Sequence, residues 1–305
     1  MRHTIKKILK IFLYPVYQLY KFLRPTIVRK FQNHKKIADK LYFNNFGRHI
    51  DWNHPTELNE KIRWLQFNTD ISIWAKLADK YLVREFVKEK GCEDILIPLL
   101  GMWKKVDDID FDKLPDSFVI KTNHGSGHVF AVTDKSKCNL VQICKDLKKF
   151  IKTPYGLDAV ETHYFQIYPV IIAEKLLLND LAISSSIADY KFYCFNGEPF
   201  CCGVFYDRGE EKNVTFYDMK WWRHDEWRNE NFKSVPKDIP QPKTFEQMKS
   251  TCKILASEFP FVRMDYYESE GKLYFGEFTF TPAALTGGSL SKLAMIVMGE
   301  KLKLS

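Results

Sequence analysis

Two stretches constrain the fold more than any others. Residues 189–206 read DYKFYCFNGEPFCCGVFY and residues 261–280 read FVRMDYYESEGKLYFGEFTF. Each is a pair of β-branched and aromatic runs split by a short turn, at Asn196-Gly197 in the first and near Glu270-Gly271 in the second. Asn-Gly is a strong hairpin signal, because both central residues of a type I′ turn sit at positive φ. Hairpins make antiparallel sheet, so a doubly wound parallel fold is excluded. Helical stretches lie between these strands, and the class is α+β.

Those helices read as follows. Residues 55–68 have Thr56 as an N-cap and Leu58, Ile62 and Leu65 on one face. Residues 76–90 form a second helix ending at Gly91, and residues 140–151 and 244–258 two more. FVIK at 118–121, VFAV at 129–132 and VIIAEKLL at 170–177 read as strands, and ILIPLL at 95–100 as a short apolar stretch.

With 305 residues, 45% of them hydrophobic, the chain can bury a core without disulfides or a structural metal. It has no apolar run of about 18 residues, which excludes a polytopic membrane protein. The seven cysteines are odd in number and lack any C-x-x-C spacing, which suits a reduced, cytoplasmic compartment.

The net charge of +8 is unevenly placed. Residues 1–38 hold ten Lys/Arg and no acid, leaving 36 basic against 38 acidic side chains in the rest. On a helical wheel Ile5, Ile8, Leu9, Phe12, Val16, Leu19 and Leu23 share one face, and Lys6, Lys7, Lys10, Lys21 and Arg24 the other. Pro15 implies a kink. Two readings stay open: residues 1–30 lie on an anionic membrane surface, or their apolar face packs on the body. Nucleic-acid binding is a third reading, but nucleic acid is not expected as a partner, because the basic excess is confined to one helix and no known nucleic-acid module is evident.

Three groups of residues carry chemistry. Lys121 ends a strand and is followed by Thr-Asn-His-Gly125-Ser126-Gly127, a turn whose glycines let backbone N–H groups approach phosphate. A plain hairpin turn with an exposed lysine has the same pattern. Arg263-x-Asp265 and Glu277-x-Thr279 lie on the two strands of the second hairpin. Facing carboxylates repel without a cation between them, and such oxygens suit Mg2+ bound with phosphates. Their other reading is a solvated strand face. In the third group, an apolar strand runs into Glu174, where backbone groups can receive an adenine amino group, or where the strand simply ends. Asp189 and Lys191 share one strand face, and Lys191 reads either as a cleft residue acting on phosphate or acceptor, or as half of a surface ion pair.

The order of NEKIRWLQ, LADKYLVREFV, LPDSFVIKTNHGSG, IIAEKLL, DYKFYCFNGEP and FVRMDYYESEGKLYFGEFTFTPAAL resembles the ATP-grasp superfamily. Within it, the chain resembles the TupA-like branch, associated with cell-surface polysaccharide and teichuronopeptide synthesis. The resemblance implies two α+β subdomains that sandwich ATP, preceded by the N-terminal amphipathic arm. Its boundaries are the arm at 1–38, a helical region at 39–115, a small subdomain with the glycine-rich loop at 116–173, and a C-terminal subdomain with the metal-binding hairpin at 174–305.

By the same resemblance, Lys80 lies on a helix and contacts the α-phosphate, and Lys121 is the strand-end lysine. Gly125, Ser126 and Gly127 form the lid, and Glu174, Lys175, Leu176 and Leu177 the adenine hinge. Asp180 is the candidate ribose acid. Asp265 and Glu277 are the Mg2+ carboxylates, and Arg263 is the basic residue preceding them. Thr279 stands where many of these ligases have asparagine, although threonine is usual in the TupA-like branch.

The implied activity is an ATP- and Mg2+-dependent carboxylate–amine ligase working through an acyl phosphate on a saccharide or amino-acid substrate. The implied location is the cytoplasm or the inner face of the membrane. A glycosyltransferase of surface-polysaccharide assembly and a non-catalytic tethered scaffold are the alternatives. His124 and His128 flank the loop, and Trp221, Trp222 and Trp227 are either sugar platforms, core or a partner surface.

Overall fold

The structure, a computed structural model, describes residues 33–182, 184–207 and 213–304. Residues 1–32, nearly all of the basic arm, lie outside the described residues.

The chain begins with α1 (His34–Phe46), α2 (Leu58–Asn68), α3 (Ser72–Ala78) and α4 (Val83–Glu89). Strands β1 (Leu99–Trp103), β2 (Phe118–Thr122) and β3 (Val129–Val132) precede α5 (Leu140–Phe150) and β4 (Ile171–Lys175). Then come β5 (Asp189–Phe195), β6 (Glu198–Tyr206), β7 (Asn213–Asp218), α6 (Phe245–Leu255), β8 (Phe261–Ser269), β9 (Lys272–Thr279) and α7 (Lys292–Lys301). The strands form two antiparallel sheets, ordered β1-β4-β2-β3 and β7-β6-β5-β8-β9, as the α+β class requires.

Both hairpin turns have the expected backbone: Asn196 and Gly197 at φ 50° and 82°, Glu270 and Gly271 at 53° and 68°. The larger core packs α2, α3, α4, α6 and α7 around the five-stranded sheet through Ile62, Trp74, Phe86, Met248, Tyr266 and Met298. The smaller core lays Ile143 and Leu147 of α5 on Phe118, Ile120 and Ile171 of the four-stranded sheet. All seven cysteines are free thiols. No helix among the described residues is long and apolar enough to cross a membrane.

Three local readings are corrected. The N-cap of α2 is Glu57, not Thr56; Glu57 and Glu60 form a reciprocal capping box, and Thr56 donates to Glu60. The helix expected over 76–90 is two helices. Asp79 breaks it, its Oδ1 accepting from the backbone N–H of Tyr81 at 2.8 Å and of Leu82 at 3.1 Å. Lys80 therefore stands in the turn between α3 and α4 and not on a helix. Lastly, the helical region drawn at 39–115 also contains a strand, Leu99–Trp103, paired with β4 and overlapping the short apolar stretch at 95–100.

Candidate active site

A cleft of about 710 Å³ is lined by residues of both sheets, the β2–β3 loop and the segment after β9. Of the residues singled out above, Lys80, Lys121, Gly125, Ser126 and Gly127 line it. So do Glu174, Lys175, Leu176, Leu177 and Lys191, and Arg263, Asp265, Glu277 and Thr279.

The five-stranded sheet supplies the charged floor. Register puts Asp265 opposite Lys191 on β5 and opposite Glu277 on β9, and Arg263 opposite Thr279. Arg263 grips Asp265 with two N–H groups, Nε to Oδ1 at 2.6 Å and Nη2 to Oδ2 at 2.7 Å, a bidentate pair. Its Nη2 also donates to Thr279 Oγ1 at 3.0 Å and lies 3.7 Å from Glu277 Oε1. Lys191 Nζ bonds Asp265 Oδ2 and stands 3.7 Å from Asp189. The Thr279 hydroxyl donates to Glu277 Oε1 at 3.4 Å.

Lys80 ties this floor to the loop. Its Nζ is 3.0 Å from Glu277 Oε2 and donates to the Gly125 carbonyl at 2.9 Å. Burial alone would raise the Glu277 carboxyl. Lys80, Lys191 and Arg263 outweigh it and hold the group well below the usual carboxylate range. At the other sheet, Lys121 Nζ lies 2.6 Å from Glu174 Oε2, with Arg84 3.5 Å from Oε1.

The glycine-rich loop rests on Asn123. Its side chain donates to Asp79 at 2.8 Å and to the Tyr168 carbonyl at 3.0 Å, and accepts from Val170 N–H at 2.8 Å. Gly125 and Gly127 both have φ 82°, and a Cβ on Gly125 would sit 2.6 Å from the Tyr155 ring. His128 stacks on Phe150 with centroids 4.1 Å apart, and His124 Nε2 lies 3.2 Å from the Thr153 carbonyl.

Asp180 is not brought to the cleft. Its two carboxylate oxygens accept from Glu270 N–H at 2.9 Å and Gly271 N–H at 2.8 Å, capping the β8–β9 turn. Lys175 leans outward to Glu270, 3.3 Å away. The three tryptophans do not line the cleft: Trp221 stacks on Tyr217, Trp227 on His224, and Trp222 is exposed. Residues not anticipated include Asp79 and Asn123 under the loop, and Tyr155, Glu161, Tyr164 and Thr281 on the cleft wall. Three of those four wall residues come from the segment between α5 and β4, which has no helical or strand periodicity.

Asp265, Glu277 and Thr279 offer two carboxylates and a hydroxyl on one face. No group of three or more His, Cys, Asp or Glu that could hold a metal exists among the described residues. The set fits a hard divalent cation that takes its remaining ligands from water and substrate phosphate, the habit of magnesium.

A search of curated proteins found no match. Similar solved structures include D-alanine–D-alanine ligase from Bacillus anthracis, 17% identical, covering 80% of this chain and 65% of that one, with a TM-score of 0.41. N5-carboxyaminoimidazole ribonucleotide synthetase in its ADP complex is 11% identical, covering 75% and 52%, at 0.46. L-amino acid ligase from Bacillus licheniformis is 11% identical, covering 90% and 61%, at 0.48. The chain spans less than two thirds of the length of each of these three. The family model described as TupA-like ATP-grasp matches residues 60–303, most of the chain, and the protein belongs to that family.

Proposed function

We propose that the protein is an ATP- and Mg2+-dependent carboxylate–amine ligase that modifies a cell-surface polysaccharide or its precursor. The observation that carries this reading is Lys80, which joins the carboxylate of Glu277 to the carbonyl of Gly125. One cation thus links the acidic floor to the loop that would cover a phosphate chain. In this reading Lys80 and Lys121 contact phosphate and the backbone at Glu174–Leu177 reads adenine. Asp265, Glu277 and Thr279 would hold Mg2+. When bound, the ion supplies neutralisation of the charge on the transferring phosphoryl group.

The substrate carboxylate attacks the γ-phosphorus, forming a C(O)O–P bond as the bond to ADP breaks. An amine nitrogen then attacks the acyl carbon, the C–N bond forms, phosphate leaves and the nitrogen gives up its proton. Arg263 and Lys191, fixed on Asp265, face the transferring group with pre-oriented positive charge. The Gly125–Gly127 loop closes and keeps water from the acyl phosphate. The family association favours an acceptor in surface-polysaccharide assembly, and residues 1–30 would bring the enzyme to the inner membrane face. The glycosyltransferase alternative has no support from the family match.

The test is thermal unfolding with ATP and Mg2+. Ligand at about 100 times its Kd adds about 2.7 kcal/mol, or roughly 5 °C. The rise should require Mg2+ and vanish in Glu277→Ala. A rise with a nucleotide sugar and none with ATP overturns the reading. Deletion of residues 1–30 should release the protein from anionic vesicles, and unchanged binding would remove the membrane role.

A further inference from the structure

Among the described residues, five acids line the cleft: Glu161, Glu174, Asp189, Asp265 and Glu277. Four face a cation of the chain. Glu174 has Lys121 at 2.6 Å, Asp189 has Lys191 at 3.7 Å, Asp265 has Arg263 at 2.6 Å, and Glu277 has Lys80 at 3.0 Å. Glu161 is the exception. Among the described residues its carboxylate accepts one hydrogen bond, from Thr281 Oγ1 at 2.5 Å, and has no cation within ion-pair distance. It is only 5% exposed. A buried carboxylate without a counter-ion costs several kcal/mol, so burial here favours the neutral acid until a cation arrives to pair with it.

Arg63, whose charge reaches Glu161, is already committed. Its guanidinium donates to Gln66 Oε1 at 2.7 Å, to the Ala159 carbonyl at 2.8 Å, and to the carbonyls of Val160 and Ala284 at 3.3 Å. It acts on Glu161 through space, not by contact. Burial still pushes the Glu161 carboxyl up, against the Thr281 hydrogen bond and the Arg63 charge.

The surroundings are built for a ligand. Tyr155 and Tyr164 meet edge to face at 4.8 Å beside Glu161. Burial, and then the charges of both Glu161 and Glu277, push these two phenols up, which sets both acids along one aromatic wall. Tyrosine faces attract a cation. The segment after β9, which also lines the cleft, has three successive non-glycine residues in the left-handed region, Ala283, Ala284 and Leu285 at φ 48°, 54° and 60°. Such strain persists where surrounding structure imposes it, and it clusters at ligand clamps. Here Arg63 holds the Ala284 carbonyl, and Gly288 packs so closely on Ala283 that a Cβ would lie 2.5 Å away.

We propose that Glu161 is the seat for the amine substrate, a primary amine that enters the cleft as its ammonium beside Tyr155 and Tyr164 and passes one N–H proton to the Glu161 carboxylate, so that the freed nitrogen lone pair can attack the acyl carbon. This deepens the ligase reading and rests on it for the amine's role as nucleophile. The ammonium supplies the counter-ion the chain withholds from Glu161. Glu277, already held by Lys80, is left for the phosphate side.

The experiment is saturation-transfer NMR on the full chain with two probes, glycinamide and its neutral isostere glycolamide. Wild type should prefer glycinamide by about tenfold, roughly 1.4 kcal/mol. Glu161→Gln should erase that preference while keeping the melting-temperature rise given by ATP and Mg2+. No preference in wild type, or a preference unchanged in Glu161→Gln, overturns the proposal. Should Glu161→Gln fail to fold, Thr281→Val removes the one hydrogen bond to Glu161; the glycinamide preference should hold or grow, and its loss would count against the proposal. An absent response to ATP voids the ligase reading, whereas the probe pair tests Glu161 directly, so the two failures are distinguishable.

Discussion

Asp265 and Glu277 stand directly opposite each other on β8 and β9 because Gly276 is left out of the ladder. Counted from the Ser269–Lys272 pair beside the turn, a regular hairpin would put Glu277 opposite Met264, on the other face of the sheet. The bulge at Gly276 shifts the register by one and returns Glu277 to the cleft face. A Cβ at Gly276 would sit 2.9 Å from the Asp265 carbonyl oxygen and 3.0 Å from the Tyr267 ring, so the bulge needs glycine.

Gly276→Val should therefore destabilise the chain by about 1–3 kcal/mol through overpacking. It should also abolish the melting-temperature rise given by ATP and Mg2+, because Glu277 moves with the register. A rise equal to that of wild type would show that Glu277 keeps its place without the glycine.

Asp180 serves as the control for the nucleotide site. Its carboxylate caps the Glu270-Gly271 turn from outside the cleft. Asp180→Ala should lower stability by about 1–2 kcal/mol for the two lost hydrogen bonds. The ATP and Mg2+ increment should be unchanged, and a lost increment would restore Asp180 as a ribose ligand.

What was legible followed from local pattern. The hairpins, their turns, and the charged groups Lys121, Arg263, Asp265 and Glu277 lie in runs whose period and punctuation carry their own signal. The bulge at Gly276 does not, since one extra residue leaves the alternation looking regular. The split of the 76–90 helix comes from the local turn that Asp79 makes with Tyr81 and Leu82, which the apolar periodicity of the run hides. Asn123, 44 residues away, holds the other oxygen of Asp79. The polar face of α2 misleads in the same way. Asn59, Glu60, Arg63 and Gln66 lie off the face shared by Leu58, Ile62 and Leu65, yet all are buried, and they bind the backbone and side chains of distant segments and of the helix's own N-terminus. Glu161 lay in a segment with no periodicity to place it.

The contact of Gly125 with Tyr155 gives a coupled prediction. Gly125→Ala meets the ring at 2.6 Å and must also hold φ 82° with a side chain. It should weaken the ATP response. Tyr155→Ala removes the ring, so the double variant should recover part of the loss, with a coupling of about 0.5–3 kcal/mol. Strict additivity in the double-mutant cycle would show that backbone strain alone, not the ring, limits the loop.

His163 gives the pH dependence. It is fully buried against Trp74, Tyr164 and Phe280, and neither ring nitrogen has a hydrogen-bond partner among the described residues. Burial, helped by the Arg63 charge, pushes its pKa down to about 3 from 6.5. Between those values the unfolded chain binds a proton that the folded chain refuses. Stability is therefore intact above about pH 6.5 and falls as pH drops towards 3, by up to about 1.4 kcal/mol per pH unit. His163→Phe keeps an aromatic ring in an aromatic site and removes the titration. Its melting temperature should decline less steeply than that of wild type between pH 7 and pH 4.5. Parallel profiles would assign the acid sensitivity to other groups.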